Sequence, residues 1–182
     1  MKRVAVPLAP GFEEVEALTV VDILRRAGAE VVMAGTVDGP IEGRNGIRVL
    51  ADTSLDAVSG ETFDAIFLPG GVAGTKNLRE DARVGAMLRR HADAGALVAA
   101  ICAAPTVLAA AGVIRGRTVT CHPSVAGELR GERLCDERVK VDGTLVTSRG
   151  PGTAMEMAFR LTAILLGEAR AAEVNRGVLA RL

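Results

Sequence analysis

A cysteine at the end of an apolar run is the residue whose position most favours chemistry. Residues 97–101 are all apolar, Cys102 follows them, and Pro105 opens an alanine-rich stretch. This order predicts a strand, a sharp turn that carries the cysteine, and a helix, because proline suits the first turn of a helix. The free N–H groups and the dipole at a helix N-terminus favour the thiolate, which is the nucleophilic form. A buried structural cysteine is the alternative interpretation.

Small residues beside this cysteine and after another predicted strand are candidate backbone donors. Gly70 and Gly71 follow the apolar run 65–68, and Ala103 follows Cys102 directly. Small side chains let a substrate approach the backbone, so the N–H groups of Gly71 and Ala103 are candidates for stabilising an oxyanion. An ordinary tight turn is the alternative interpretation of the glycine pair.

Two titratable residues are candidate partners of the thiol. Glu16 interrupts an apolar surface in the first turns of a predicted helix, and His122 follows a short predicted strand. Burial and a neighbouring thiolate would raise the pKa of a carboxyl, which would then hold a proton and act as acid or base. His122 is a candidate base. The alternatives are a favourable helix-end charge for Glu16 and local packing for His122.

Apolar runs that alternate with helical segments predict the fold class. We predict strands at residues 4–8, 30–34, 47–50, 65–68, 97–101 and 118–120, a hairpin of 139–141 and 144–146 around Asp142-Gly143, and a loop at 37–45. Helices are predicted at residues 13–27, 81–94, 106–111, 154–166 and 168–179. The pattern is typical of one α/β domain over residues 1–182, with a mostly parallel sheet, helices on both faces and an added hairpin.

The candidate residues all follow the ends of predicted strands. In open α/β sheets, ligands bind beyond the carboxyl ends of the parallel strands. We therefore expect Glu16, Gly70, Gly71, Cys102 and His122 to converge, although they are far apart in the sequence.

Other polar residues have predicted structural roles. Asp81 and Thr153 precede predicted helices and are candidate N-caps. Glu13 and Glu14 are suitable charges for the solvated first turn of a helix. His91 lies in the basic run Arg89-Arg90-His91 and is expected on a solvated face.

Composition argues against several classes of function. The chain has 22 basic and 22 acidic residues, no Trp or Tyr and four Phe, so nucleic-acid binding is not expected. No apolar segment reaches the roughly 18 residues of a membrane span, and no signal peptide is expected. Cys102, Cys121 and Cys135 form no Cys-x-x-Cys pair, which favours a reducing cytoplasm over a disulfide framework. The sequence has neither a metal-ligand cluster nor a phosphate-binding glycine motif, so no metal and no nucleotide cofactor are expected.

Five ordered motifs resemble the ThiJ/PfpI superfamily, in its branch of parkinsonism-associated deglycases, glyoxalase-type enzymes and bacterial relatives. They span nearly the whole chain and comprise residues 11–16, 68–71, 100–105, 120–123 and 147–153. The resemblance implies a flavodoxin-like three-layer sandwich, a homodimer, a cytoplasmic protein and an activity that needs no cofactor.

The same resemblance implies a role for each candidate residue. Cys102 would be the reactive nucleophile and Glu16 its protonated partner. Gly71 and Ala103 would supply oxyanion N–H groups, with His122 nearby. Arg44, in a loop that aligns loosely, corresponds to an arginine that reaches the site of a partner subunit.

One position departs from the peptidase branch of the superfamily. That branch has a histidine directly after the cysteine, where this chain has Ala103. A Cys-His peptidase would need His122 instead, with no evident third residue to orient it, so proteolysis is not expected. Amidotransferase relatives need a His-x-Glu pair, which His122-Pro123-Ser124 does not supply.

The leading hypothesis is an enzyme that acts on methylglyoxal, glyoxal or early glycation adducts. The Cys102 thiolate would form a hemithioacetal, and Glu16, helped by His122, would move a proton between adjacent carbons before water releases a hydroxy acid. The alternative is a redox-responsive chaperone or oxidative-stress sensor in which Cys102 is oxidised. A divergent family enzyme with another small substrate is a third possibility.

Overall fold

Seven strands form the central sheet of the computed structural model, which describes residues 1–180. The strands of the chain are β1 (Arg3–Leu8), β2 (Glu30–Gly35), β3 (Ile41–Glu42), β4 (Arg48–Val49), β5 (Thr53–Ser54), β6 (Ala65–Leu68), β7 (Leu97–Ile101), β8 (Thr118–Val119), β9 (Arg133–Leu134), β10 (Val139–Asp142) and β11 (Leu145–Ser148). The sheet order is β10-β11-β7-β6-β1-β2-β5, and only the β10–β11 pair is antiparallel. β3 pairs with β4, and β8 with β9, in two separate ribbons.

Helices surround this sheet in two groups. They are α1 (Glu14–Arg26), α2 (Leu55–Val58), α3 (Val72–Glu80), α4 (Ala82–Asp93), α5 (Pro105–Ala110), α6 (Ala154–Leu166) and α7 (Glu168–Val178), with 3-10 turns at Pro123–Glu128 and Pro151–Thr153. α6 packs against α1 and α7, whereas α3, α4 and α5 contact one another. The predicted α/β class, mostly parallel sheet and added hairpin are confirmed. The one-domain prediction extends to residues 181 and 182, which lie outside the described residues.

The central strands are buried because helices cover both of their faces. Every residue of β6, β7 and β11 is buried, and so are five of the six residues of β1. These strands are continuous apolar runs, with the exception of Arg3 at the start of β1 and of Thr147 and Ser148 at the end of β11. A parallel sheet between helical layers requires this pattern, in contrast to the alternation of a half-exposed strand.

Several local predictions were wrong. Residues 72–80, for which no element was predicted, form α3, and the 118–120 and 47–50 segments lie in the small ribbons outside the main sheet. The hairpin turn is Gly143-Thr144, because Asp142 pairs with Leu145. Asp81 caps α4 as predicted, since its Oδ1 accepts from the Arg83 N–H at 2.9 Å. Thr153 precedes α6, but its hydroxyl donates to the Gly150 carbonyl at 2.9 Å and caps nothing in that helix.

His91 is buried in the core, so its predicted place on a solvated face was wrong. Only 2% of the residue is exposed. Its Nδ1 is 2.8 Å from the Met87 carbonyl oxygen, and its Nε2 accepts from the Phe63 N–H at 3.0 Å. The buried residues of α4 (Val84, Met87, Leu88 and His91) have helical spacing, which outweighs the basic neighbours.

We expect His91 to make the stability of the fold depend on acid pH. Burial lowers the pKa of His91 because it penalises the charged ring. The Phe63 N–H also needs the neutral ring, since a protonated Nε2 cannot accept a hydrogen bond. The pKa of His91 is thus lower in the folded than in the unfolded chain, where it is about 6.5. Its contribution to the stability of the fold is fully present above that unfolded value and is lost as pH falls through the folded value. Urea unfolding of the wild type and of His91→Leu at pH 7.5 and 5.0 should show a stability gap that narrows in acid. A gap of constant size would contradict this role.

Candidate active site

The ends of three adjacent strands define the site. Cys102 follows β7, Gly70 follows β6, and the segment after β1 leads into α1 and Glu16. β7, β6 and β1 are neighbours in the sheet, so their carboxyl ends bring these residues together. The predicted convergence of Glu16, Gly70, Gly71 and Cys102 is thus what the fold produces.

Cys102 has a strained backbone that is fixed from two directions. Its φ is +64°, which is unusual for a residue other than glycine and costs about 1–3 kcal/mol. The Cys102 N–H donates to the Ser148 carbonyl at 2.9 Å, and its carbonyl accepts from the His122 N–H at 2.9 Å. Only 7% of Cys102 is exposed, so the turn places the thiol at the floor of the site and leaves little of it in solvent.

Glu16 lies fully buried against Cys102. Its Oε2 accepts from the Gly70 N–H at 2.7 Å, and the carboxyl lies next to the Cys102 side chain. The pKa of Glu16 is raised to about 7, chiefly by burial and also by the nearby charge of Glu13, whereas the neighbouring Cys102, the Gly70 N–H and the charge of Arg44 oppose this rise. Oε1 is buried and has no hydrogen-bond partner of normal geometry within residues 1–180. This oxygen is available for a moving proton.

The Cys102 thiol and the Glu16 carboxyl both have raised pKa values because they lie buried next to each other. Burial raises the pKa of Cys102 to about 12, the charge of Glu16 adds to this, and the Gly71 and Ala103 N–H groups oppose it. The prediction that the helix end lowers the thiol pKa was therefore wrong. α5 has only six residues, and burial outweighs the effect of its dipole. The thiolate forms when the thiol proton passes to Glu16.

The two predicted oxyanion donors both reach the sulfur. The Gly71 and Ala103 N–H groups lie close enough to the Cys102 thiol to lower its pKa, against the effect of burial. Gly71 has a φ of +90°, and a Cβ there would lie 2.4 Å from the Gly11 carbonyl oxygen. The position therefore requires glycine for its conformation and for its close approach to the segment after β1.

Gly70→Ala should separate the thiol from the carboxyl. A Cβ at Gly70 would lie 2.5 Å from Glu16 Oε2 and 2.7 Å from Cys102 Cβ. Because displacements of about 1 Å at a reacting group cost roughly 100-fold, we expect a loss of at least about that size in kcat/KM for the reaction proposed below. Gly60→Ala is the control, since a Cβ there meets nothing within 4 Å. Equal activity of the two variants would show that the thiol–carboxyl contact is dispensable.

His122 reaches the site with its main chain. Its N–H holds the Cys102 carbonyl, whereas its exposed ring turns Nδ1 to the Ser124 hydroxyl at 2.8 Å. Nδ1 also accepts from the Ser124 N–H at 3.3 Å, so the ring caps the 3-10 turn Pro123–Glu128. The catalytic role of the imidazole stays a prediction.

Glu13 and Glu14 are buried, so the prediction that they are charges on a solvated turn was wrong. The Glu13 carboxylate accepts from the Glu16 N–H at 2.8 Å and caps α1. Glu14 accepts from the Asn45 N–H at 2.7 Å and from Asn45 Nδ2 at 2.8 Å. Glu14 thereby fixes the loop that carries Arg44. No local sequence signal indicates this contact, which joins residues 31 positions apart.

A cleft of about 550 Å³ opens beside the Cys102 turn. Its wall includes Ala103, Thr106 and Val125 from the Cys102 side, and α3 forms the opposite side. Arg44 also lines this cleft of its own chain, where its charge acts on Glu16. The reach of Arg44 into a partner subunit stays an expectation.

The other two cysteines lie outside the thiol–carboxyl pair. Cys121 is 5% exposed, burial raises its pKa, and Cys135 is half-buried. Neither forms a disulfide within residues 1–180. In the same part of the chain, no group of three or more His, Cys, Asp or Glu is placed to hold a metal ion, and no helix is long and apolar enough to cross a membrane.

Comparison with known proteins gives matches along nearly the whole chain. Protein dj-1beta of Drosophila melanogaster is 43% identical over 181 residues, which cover 98% of this chain and 97% of that protein. Its crystal structure superposes with a TM-score of 0.96 over 98% of this chain and 97% of the other. Toxoplasma gondii DJ-1, solved in an oxidized form, is 38% identical with a TM-score of 0.95 and covers 98% of both chains. These structures confirm the flavodoxin-like fold.

A further relative has an enzymatic name. The glutathione-independent glyoxalase DJR-1.2 of Caenorhabditis elegans is 38% identical over 157 residues, which cover 85% of this chain and 83% of that protein. The sequence profile of the DJ-1/PfpI family matches residues 2–164. The resemblance to this superfamily in five ordered motifs is confirmed, and the chain belongs to the DJ-1/PfpI family.

Proposed function

We propose that the chain is a cysteine-dependent glyoxalase and deglycase that needs no cofactor. The observation that carries this proposal is the buried Glu16–Cys102 pair, in which a carboxyl with a pKa raised to about 7 lies next to the thiol and two backbone N–H groups. A dicarbonyl isomerisation needs a nucleophile and one group that both gives and takes a proton. The relative that is named a glutathione-independent glyoxalase supports the same activity.

The pair supplies each proton of the first step. With the thiol proton on Glu16, the Cys102 thiolate attacks the aldehyde carbon of methylglyoxal and forms a C–S bond. The carbonyl electrons move to oxygen, which takes the proton from Glu16, and the product is a hemithioacetal. The Gly71 and Ala103 N–H groups stabilise negative charge next to the sulfur.

The ionised Glu16 then drives the isomerisation. It removes the proton from the former aldehyde carbon, which gives an enediolate, and returns a proton to the neighbouring carbon. The hydroxyl proton of the first carbon passes to the oxygen of the second, and the hemithioacetal becomes a thioester. The unpartnered Oε1 is the oxygen that moves this proton. Water hydrolyses the thioester to lactate and regenerates the pair. His122 assists as an outer proton carrier in this proposal.

Early glycation adducts are substrates for the same thiolate. In a hemiaminal or hemithioacetal of methylglyoxal, the thiolate displaces the protein amine or thiol from the former aldehyde carbon. The protein side chain leaves with a proton, and the remaining hemithioacetal on Cys102 follows the route above. Free dicarbonyls and adducts of cysteine, lysine or arginine are therefore one substrate class for this site.

We also propose that the working form is a cytoplasmic homodimer. Val15 on α1 is 52% exposed and Ile47 is 53% exposed. The Ile47 N–H lies 3.4 Å from the Glu14 carboxylate, so the two apolar side chains are on neighbouring elements. Burial of such side chains against a second copy supports this assembly.

Lactate production in the absence of thiol cofactors tests the proposed activity. Purified protein and methylglyoxal in glutathione-free buffer should yield lactate in amounts that match the dicarbonyl consumed. Loss of methylglyoxal without lactate would indicate simple trapping by arginine, lysine or cysteine side chains and would contradict the proposal.

Redox sensing is a second candidate function for the same thiol. The Gly71 and Ala103 N–H groups could hydrogen-bond a sulfinate oxygen, and a related protein from Toxoplasma gondii was solved in an oxidized form. This function would be favoured if mild peroxide adds oxygen to Cys102 and thereby changes the binding of client proteins, while the protein forms no lactate from methylglyoxal.

A further inference from the structure

The cleft beside Cys102 has more positive charge than a neutral dicarbonyl requires. Arg44, Lys76 and Arg79 line it, and Glu128 is the acidic residue of its wall. Arg79 Nη1 pairs with Glu128 Oε2 at 2.9 Å, so these two charges compensate each other. Two positive charges, on Arg44 and Lys76, remain at the cleft.

Neither of these two cations is strongly neutralised by a neighbour. Lys76 has a long contact of 3.9 Å with Glu80, and both side chains are 63% exposed. Solvent screens such a pair, which contributes little. Arg44 is exposed and acts on the Glu16 carboxyl through its charge. An anion in the cleft would therefore meet two available positive groups.

A buried hydroxyl in the same wall lacks a partner. Thr75 is 4% exposed and lines the cleft, and its Oγ1 has no hydrogen-bond partner within residues 1–180. Buried hydroxyls are normally satisfied, because an unpaired one is costly. An oxygen of a ligand bound in this cleft is a partner that would satisfy the Thr75 hydroxyl.

The size of the cleft also exceeds that of a three-carbon dicarbonyl. Volumes of about 300–1,000 Å³ are typical of sites for larger ligands, and this cleft has about 550 Å³. Val72, Ala73 and Val125 supply an apolar part of the wall. Ala103, the residue after Cys102, and Lys76 line the same cleft, so one short-chain ligand can contact both parts of the wall.

We propose that the preferred substrates are α-oxoaldehydes with an anionic end, and that Lys76 is the specificity-determining residue, with Arg44 as the second cation and Thr75 as a hydrogen-bond donor. The proposal rests on the proposed function of Cys102. For 4,5-dioxopentanoate, the thiolate adds to the aldehyde, one proton moves from that carbon to its neighbour, and water releases 2-hydroxyglutarate. No external oxidant or reductant takes part.

A matched pair of substrates tests this preference. 4,5-Dioxopentanoate and 2-oxopentanal have the same five-carbon α-oxoaldehyde chain and differ in a terminal carboxylate or methyl group. We expect wild-type kcat/KM to favour the carboxylate by about tenfold or more, which corresponds to one charge-assisted contact. Lys76→Met should lower this ratio about tenfold. Lys140→Met is the control, since Lys140 pairs with Glu137 at 2.5 Å and does not line the cleft.

Binding without turnover separates this proposal from the proposed catalysis. Calorimetry on the Cys102→Ala protein should show tighter binding of 4,5-dioxopentanoate than of 2-oxopentanal, and Lys76→Met should remove the difference. That result would hold even if the wild type proved to have no glyoxalase activity. Equal affinities of the Cys102→Ala protein for the two compounds would overturn the anionic preference. So would equal kcat/KM values of the wild type for the two substrates that Lys76→Met leaves unchanged.

Discussion

Cys102→Ala is expected to abolish the formation of lactate from methylglyoxal. The thiolate forms the bond on which every later step depends, so we expect kcat/KM to fall by about 1,000-fold or more. Lactate is measured by a coupled dehydrogenase assay in glutathione-free buffer. Alanine keeps the Cβ, and with it the strain of the positive φ, and adds no volume, so the fold should persist in circular dichroism.

Cys135→Ala is the matched control for this loss. Cys135 is half-buried, and its N–H donates to the Val119 carbonyl, a bond that alanine keeps. We expect this variant to turn over methylglyoxal as the wild type does. Lactate formation by folded Cys102→Ala at the wild-type rate would refute the nucleophilic role of Cys102.

Glu16→Gln is expected to cause the second largest loss of activity toward methylglyoxal. The amide cannot take a proton from the hemithioacetal carbon, so kcat should fall by about 100-fold to 10,000-fold, the range for general acid–base groups. The amide oxygen can still accept from the Gly70 N–H, which preserves the position of the side chain. Glu168→Gln at the exposed start of α7 is the control and should retain full activity.

The pH profile distinguishes proton transfer from a merely structural role of Glu16. The wild-type pair is active with one proton, so kcat/KM should fall as pH drops below the Glu16 pKa of about 7. In Glu16→Gln this acid limb should disappear from the residual activity. An unchanged acid limb in the variant would assign the titration to another group.

Glu16→Gln should also raise stability at neutral and alkaline pH. The pKa of Glu16 is raised on folding, so its contribution is fully present below the unfolded value of about 4.3 and is lost as pH rises through about 7. A neutral amide avoids the cost of an ionised buried carboxyl. A variant more stable than the wild type at pH 8 but equal at pH 4 would therefore indicate that this carboxyl is kept for function.

The location of the nucleophile could be predicted from local sequence because each local signal agrees with the fold. An apolar run, a cysteine, small residues and Pro105 specify a strand, a turn and a helix start in order. The positive φ of Cys102 and the raised thiol pKa could not be predicted. They depend on the Ser148 and His122 contacts and on burial beside Glu16, which the tertiary structure creates.

Misplaced elements have a common physical cause in long-range packing. Gly74 weakens the local helix signal of α3, since glycine is a weak helix former. The packing requires glycine there, because a Cβ would lie 2.7 Å from the Phe12 backbone nitrogen. Glu14 is buried because a loop more than 30 positions later supplies its donors. His91 is buried for a related reason, since the Phe63 N–H requires an acceptor. Single-sequence patterns do not encode such partners.

Native mass spectrometry of Glu16→Gln with methylglyoxal tests the covalent route most directly. In the variant the thiol adds to the aldehyde with water in place of Glu16 as the proton carrier, more slowly than in the wild type, whereas the amide cannot move the carbon-bound proton. After long incubation we therefore predict a protein whose mass increases by one methylglyoxal, with the adduct on Cys102. The adduct should persist in Glu16→Gln/Cys135→Ala and vanish in Glu16→Gln/Cys102→Ala. Absence of any adduct on Cys102, with lactate still formed by the wild type, would contradict the covalent route.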